Sequence, residues 1–192
     1  MSAEDRKGIP LLVGGVELAT LQLSIYLSLD RSGVHLKTVR SDIVIKSALD
    51  RNPLLRLDYR ADMKRAPAAH WQVTAERGSF SHLLTRANAV DEDRVGSPHN
   101  LSSLHIPVGG ERFRPCLEDV LQFLVQECGV DRRDGWLAVV QEGRERWRER
   151  QVAAVVRDAQ AQAAGTLRSL GWTVTAGPDV DDERYDRTFT YW

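Results

Sequence analysis

The residues LQLSIYLSL, at positions 21–29, alternate between aliphatic side chains and side chains that carry a polar group. This two-residue period is typical of a β-strand with one buried face. The turn residues DRSG follow at 30–33, and a second alternating segment runs from Val34 to Ile45. Its alternation changes face partway, which indicates a bulge or a shift in burial. The two segments therefore predict a β-hairpin.

Two more strands are predicted after this hairpin. RNP at 51–53 interrupts the chain, and apolar residues at alternate positions then mark one strand over 55–60 and another over 70–76. Short links between successive strands favour an antiparallel meander. We therefore predict a sheet of about four strands over residues 18–76, followed by a short helix from Ser79 and a turn-rich loop over 88–103.

Two helices are predicted in the second half of the chain. Apolar residues recur with helical spacing over 116–128, and Gly129 ends this amphipathic helix. A longer helix is predicted from about Gly143 to Leu170, and WTVT at 172–175 is a candidate for another strand. The buried stripe predicted for the longer helix comprises Val152, Val155, Val156, Ala159, Ala163, Leu167 and Leu170.

These elements predict an α+β fold, in which an antiparallel β-meander is covered by the amphipathic helix and extended by a long C-terminal helix. Residues 1–135 would form the sheet-plus-helix core. Residues 136–192 would form a C-terminal helix and tail packed on the same domain. A chain of 192 residues is long enough to bury a core of its own.

Composition limits the classes of partner and compartment. The formal net charge of −1 predicts no bulk attraction to nucleic acid or to an anionic membrane. The N-terminus is acidic where a signal peptide is basic, and no apolar run reaches the length of a membrane span. The two cysteines fit neither a disulfide framework nor a zinc site. We therefore expect a cytoplasmic protein with reduced thiols and no bound metal or cofactor.

Cys116 lies at the predicted start of a helix, directly after Pro115. The dipole of that helix would lower the pKa of the thiol, as in reactive cysteines. Glu118 and Asp119 lie in the same first turn, and their negative charges would raise the pKa of the thiol. Two interpretations stay open, a catalytic thiol and a structural cysteine packed under the sheet; the second is the more frequent role of a lone cysteine.

HWQVT at 70–74, followed by HIPVGG and CLEDVL within 105–121, resembles ubiquitin-conjugating enzymes. That family carries a similar His-Trp strand and a His-Pro-Asn segment shortly before a catalytic Cys-Leu. The resemblance implies that Cys116 forms a thioester with a ubiquitin-like protein and that His105 braces the site. Ile106 and Pro107 follow His105 here, so the asparagine that would stabilise the oxyanion is missing. A cysteine-dependent transferase is the resulting alternative function.

PCLEDVL at 115–121 also resembles the helix that ends the meander in small toxins of bacterial toxin–antitoxin loci. Four of the five histidines, His70, His82, His99 and His105, lie within 36 residues. In a nuclease-like toxin, His99 and His105 would act with nearby arginines. None of the histidines shows the spacing of a metal site. This is a third hypothesis.

Two arginine-rich segments are candidate binding surfaces. Arg112 and Arg114 follow a double glycine at 109–110, a combination that suits an anion, although a turn from strand to helix needs such glycines as well. In EGRERWRER at 142–150, Trp147 stands between Arg144 and Arg148 as a candidate partner-binding anchor. Interleaved glutamates offset these charges, so nucleic acid is not indicated. The leading prediction is a protein-interaction module that binds a protein partner and has no catalytic site.

Overall fold

A computed structural model describes residues 8–49, 52–64, 66–75, 105–178, 180 and 184–190. Its strands are β1 (Ile9–Val13), β2 (Val16–Leu29), β3 (Leu36–Ser47), β4 (Pro53–Arg60), β5 (Ala69–Val73) and β6 (Ile106–Pro107). Its helices are α1 (Gly110–Phe113), α2 (Leu117–Gln126), α3 (Trp136–Asp158), α4 (Gln160–Ser169) and α5 (Arg187–Thr190). The helix predicted from Ser79 and the loop predicted over 88–103 lie outside the described residues.

The strands form one antiparallel sheet in sequence order, from β1 at one edge to β6 at the other. The α+β class and the antiparallel meander are confirmed, but the number of about four strands is wrong, because the sheet already has six strands in the described residues. β6 is too short, at two residues, to produce a periodic pattern. β1 was missed because its residues IPLLV do not alternate between apolar and polar side chains.

The β1–β2 turn is made by Gly14 and Gly15, both with positive φ, which is the backbone that a two-residue hairpin requires. The carboxylate of Asp131 accepts hydrogen bonds from the backbone N–H groups of both glycines, at 2.9 and 2.7 Å. The N–H of Asp131 donates in turn to the carbonyl of Leu12. A residue far along the chain therefore fixes this edge hairpin.

The predicted hairpin is the β2–β3 pair, which extends from Ala19 opposite Ser47 to Leu29 opposite Leu36. The expected bulge lies on β3, where Val39 is the additional residue between the partners of Tyr26 and Leu27. β2 stays regular from Ala19 to Leu29, so the side chains of this part alternate between the two faces of the sheet. Nearer its start, Leu18 is an extra residue between the partners of Leu11 and Leu12, so β2 bulges where it pairs with β1.

The core forms where α2 covers one face of the sheet. Its buried members are Leu11, Leu21, Ile43, Ile45, Leu57, Val120 and Leu124. The bounds of α2 agree with the predicted helix, and Cys116 is its N-cap residue. The carboxylate of Asp119 accepts a hydrogen bond from the backbone N–H of Cys116 at 2.9 Å and closes a capping box.

The single long helix predicted from Gly143 to Leu170 is wrong in its bounds. α3 begins seven residues earlier, at Trp136, and Ala159, with φ −148° and ψ 61°, separates it from α4. The predicted stripe is partly wrong too, because Val152, Val156, Leu167 and Leu170 are exposed. α3 packs mainly on α2 instead of on the sheet, so it buries only Val140 and Ala154.

WTVT at 172–175 forms no strand. The guanidinium of Arg168 on α4 donates two hydrogen bonds to the carbonyl of Val174, at 3.1 and 2.9 Å, and holds this segment against its own helix. None of the helices in the described part of the chain has the length and apolar character needed to cross a bilayer.

Candidate functional site

A cleft of about 880 Å³ opens between the distal part of the β2–β3 hairpin, the end of β4, and the helices α1 and α3. Its lining lysines and arginines are Arg31, Lys37, Arg112, Arg114, Arg150 and Arg157. Its lining carboxylates are those of Asp30, Glu111 and Asp158. Cations therefore outnumber anions by six to three. We call this site the arginine cleft, and its field favours an anionic ligand.

Tyr59, the penultimate residue of β4, lines the cleft and is 1% exposed. The small side chains of Ala68 and Ala69 pack beside it and leave room for the ring. Burial first, and then the negative charge of Glu111, raise the pKa of Tyr59, so its hydroxyl stays protonated. Among the described residues this buried hydroxyl has no hydrogen-bond partner. It is a donor available to a ligand.

Arg114 also lines the cleft, and its guanidinium carbon lies 3.9 Å from the centre of the Tyr59 ring and 5.9 Å from that of Trp147. The residue is only 9% exposed. Burial lowers the pKa of Arg114, although an arginine remains charged at neutral pH. In the described part of the chain its hydrogen bond goes to the carbonyl of Glu111, and no carboxylate pairs with it. Among the described residues Arg114 is therefore a buried cation that forms no ion pair, and the charge of Glu111 offsets only part of the effect of burial on its pKa.

Arg112, in contrast, is neutralised inside the protein. Its Nε lies 2.8 Å from Oδ2 of Asp158, and its Nη2 lies 3.5 Å from Oε1 of Glu111. The hydroxyl of Thr188 donates to the same Asp158 oxygen at 2.7 Å. Burial lowers the pKa of Arg112, but the bond to Asp158 and the charge of Glu111 raise it overall. Arg112 therefore connects α1 with α3 and with the segment 184–190.

The structure separates the three residues predicted to bind a partner. Trp147 is half-buried and lines the arginine cleft beside Arg114. Arg144 instead bridges α3 to α2, with Nε 2.7 Å from Asp119 and its other nitrogen 2.6 Å from Gln122 Oε1. Arg148 is exposed and lies 3.8 Å from Asp119. Only Trp147 belongs to the cleft.

Cys116 is 3% exposed, and its thiol donates a hydrogen bond to Asp119 at 3.2 Å. Burial, followed by hydrogen bonding to Glu118 and the proximity of Asp119, raises the pKa of Cys116 to about 12. The thiol is then protonated at neutral pH, whereas a nucleophile needs the thiolate. Burial is therefore the main reason why the thiol stays protonated, and the first-turn carboxylates act in the same direction.

His105, predicted to act with Cys116, has other partners. Its ring packs edge-on against that of His70, with centroids 4.4 Å apart, and its Nε2 accepts a hydrogen bond from the Gln72 amide at 3.2 Å. Burial, with the charges of His70 and Arg56, lowers the pKa of His105. His82 and His99 lie outside the described residues. Within the described part, no three His, Cys, Asp or Glu side chains are grouped to hold a metal ion.

The environment of Cys116 predicts the thiol reactivity of the folded protein. Partial burial and Glu127 raise the pKa of Cys128, but its thiol is exposed, so we expect Cys128 to react with iodoacetamide in the folded protein and Cys116 to react only on unfolding. Peptide mass mapping of the alkylated sites measures this. The variant Cys128→Ser is the control and should lose the fast phase. Rapid alkylation of Cys116 in that variant would contradict the structural role and support the transferase hypothesis.

Comparison of this chain with protein-family models, curated proteins and solved structures found no match. Its function is therefore argued from the geometry of the cleft. In the sequence, Tyr59 is one of the alternating apolar residues that predict the strand over 55–60 and has no predicted role in a site, and Asp158 was not selected. A buried tyrosine normally finds a partner for its hydroxyl, and that requirement was the available signal for Tyr59.

Proposed function

We propose that this chain is a protein-interaction module without chemistry of its own, and that the arginine cleft holds an acidic side chain of a protein partner. One observation carries the proposal: the buried guanidinium of Arg114, uncompensated among the described residues, stacks on Tyr59, whose buried hydroxyl has no partner there. A carboxylate accepts hydrogen bonds from both kinds of donor. Its binding would neutralise the charge and satisfy the hydroxyl.

The rest of the lining favours a peptide segment over a small inorganic anion. Apolar and aromatic side chains lie among the cations, including Leu27, Leu36, Trp147 and Tyr185. Buried aromatic and arginine side chains are the residues that most often dominate binding energy at protein interfaces. The cleft also has a volume within the usual range of about 300–1,000 Å³ for ligand sites. A segment that alternates acidic and apolar residues matches this lining.

The other hypotheses have no supporting observation in the described residues. The transferase needs an accessible thiolate, and Cys116 is buried with a raised pKa. The toxin needs His99 together with His105. His99 lies outside the described part, and the His105 ring packs against His70 and accepts a hydrogen bond from Gln72. A cytoplasmic location belongs to our proposal, because both cysteines are free thiols.

The test measures binding of a fluorescein-labelled Glu-Leu-Glu-Leu-Glu-Leu peptide by fluorescence anisotropy at low salt. We expect the wild-type protein to bind the peptide and Arg114→Met to raise the Kd roughly 10- to 100-fold. This loss corresponds to the contribution of about 1.5–3 kcal/mol that hydrogen bonds to charged groups make. Methionine retains much of the apolar volume of the side chain, so the loss reports the guanidinium.

Two controls distinguish the cleft from general electrostatic attraction. Arg146→Met removes one positive charge from α3 at an exposed arginine that pairs with Glu142, and the Kd should change less than about twofold. A Gln-Leu-Gln-Leu-Gln-Leu peptide should not bind. The proposal is wrong if the wild-type protein ignores the acidic peptide, or if Arg114→Met and Arg146→Met weaken binding equally.

A further inference from the structure

Within the described part of the chain, one edge of β2 has no paired strand over half of its length. β1 pairs with β2 only as far as Leu21, which stands opposite Ile9. β3 occupies the other side of β2, and no described strand pairs with the outer edge over residues 23–29. All seven of these residues are exposed. Such an edge presents backbone N–H and C=O groups to any strand that can lie beside it.

The open edge has a palindromic sequence. Residues 23–29 are LSIYLSL, which gives the same order of aliphatic, serine and tyrosine side chains in both directions. An antiparallel pair with a two-fold axis through Tyr26 places Leu23 opposite Leu29 and Ile25 opposite Leu27. Aliphatic cross-strand pairs of this kind stabilise a sheet. The centre of the palindrome is also the centre of the open edge.

The uncharged sequence of this edge permits two copies of the chain to approach each other. Natural proteins usually protect an exposed edge with lysine or other charged side chains. β2 carries no charged residue from Leu18 to Leu29, so no like charges would meet across the axis. Its aliphatic face also leaves Ile25, Leu27 and Leu29 each more than half exposed. A contiguous apolar edge of this kind marks an interaction site.

We propose that the occupant of this edge is a second copy of the chain, paired antiparallel along residues 23–29 about an axis through Tyr26. The interface is isologous, because the same segment contributes from both copies. The two sheets join into one sheet of twelve strands, six from each copy. Leu27 belongs both to the paired edge and to the lining of the arginine cleft, so the cleft of each copy adjoins the interface.

The experiment measures the mass of the full-length chain by sedimentation equilibrium over a range of micromolar concentrations. We expect twice the mass of the chain. Ile25→Lys should raise the dissociation constant of the dimer at least about 100-fold, because a lysine would be desolvated opposite Leu27. Val16→Lys is the matched control: this exposed residue lies on β2 where β1 already pairs, and the dimer should persist.

The double variant I25K/L27E tests the register. With the axis at Tyr26, the new lysine at position 25 faces the new glutamate at position 27 of the other copy, and dimerisation should recover. Hydrogen exchange provides a second measurement, since amides of 23–29 should become protected as the concentration of the wild-type protein rises.

Three results would overturn the proposal. The first is a wild-type chain that is monomeric. A chain that dimerises only after residues 1–7 are removed counts as this result too, because those residues would then be what occupies the edge of β2. The second is equal dissociation by Val16→Lys and Ile25→Lys. The third is a double variant that folds but stays monomeric.

Discussion

Replacing Val120 by aspartate is expected to lower the free energy of unfolding by about 3–5 kcal/mol, the usual cost of an uncompensated charge in a protein interior. Val120 is fully buried, at the point where α2 meets Leu21 and Leu57 on the sheet. A carboxylate there would have no cation or donor within the cluster. Because domains are stable by only about 5–15 kcal/mol, much of the protein would be close to unfolding.

Phe123→Asp is the matched control for Val120→Asp. Phe123 lies on the same helix but is 40% exposed, so its replacement should cost about 1 kcal/mol. Urea denaturation followed by far-UV circular dichroism gives both values from the shift of the midpoint. Equal losses for the two variants would mean that α2 does not bury the face that contains Val120.

The elements predicted well from sequence are those with an uninterrupted period. α2 repeats its apolar residues over three turns, and β2 alternates along LQLSIYLSL, so each pattern identified its element. The pattern also identified the buried face of α2, but the buried face predicted for β2 is wrong beyond Leu21, because Leu23, Ile25, Leu27 and Leu29 are exposed. α3 has no such pattern, since EGRERWRER is charged on every side, and its start at Trp136 was missed. Its end depends on the backbone of Ala159, which no side-chain pattern reveals.

The candidate site was predictable only in part, because contacts between distant residues decide the role of each side chain. Arg112 and Arg114 belong to one short motif and were predicted together as anion ligands. Asp158, 46 residues away, neutralises Arg112, whereas Arg114 forms no ion pair with any described residue. In the same way Asp119 binds Arg144, while Trp147, three residues later, faces the cleft. Sequence identified the side chains with binding capacity but not their partners.

Among the described residues, the buried hydroxyl of Tyr59 has no hydrogen-bond partner and the buried guanidinium of Arg114 has no ionic partner of opposite charge, and this lowers the stability of the unbound protein. A buried hydroxyl without a partner costs about 1–3 kcal/mol, and a buried unpaired cation costs more. A ligand that supplies the missing acceptor would recover this free energy. Tyr59 and Arg114 therefore lower the stability of the unbound protein and raise its affinity for an anionic ligand, a relation that is common at functional sites.

Tyr59→Phe is accordingly expected to stabilise the unbound protein by about 1–2 kcal/mol and to weaken binding of the acidic peptide about tenfold. Phenylalanine keeps the ring beneath Arg114 and removes only the hydroxyl, which has no partner among the described residues. Most core substitutions destabilise a protein, so the sign of this effect is a strict test. Urea denaturation and peptide anisotropy measure the two changes on the same samples.

Tyr26→Phe separates this effect from the general consequence of losing a tyrosine hydroxyl. Tyr26 is half exposed and its hydroxyl can bond to water in the single chain, so at concentrations below those at which the chain dimerises its replacement should change the free energy of unfolding by less than about 0.5 kcal/mol. A less stable Tyr59→Phe variant would show that the hydroxyl already has a partner in the folded protein. It would then be unavailable to a carboxylate, and the cleft would lose one of its two proposed ligand donors. A more stable variant with unchanged peptide binding would leave Arg114 as the only anchor.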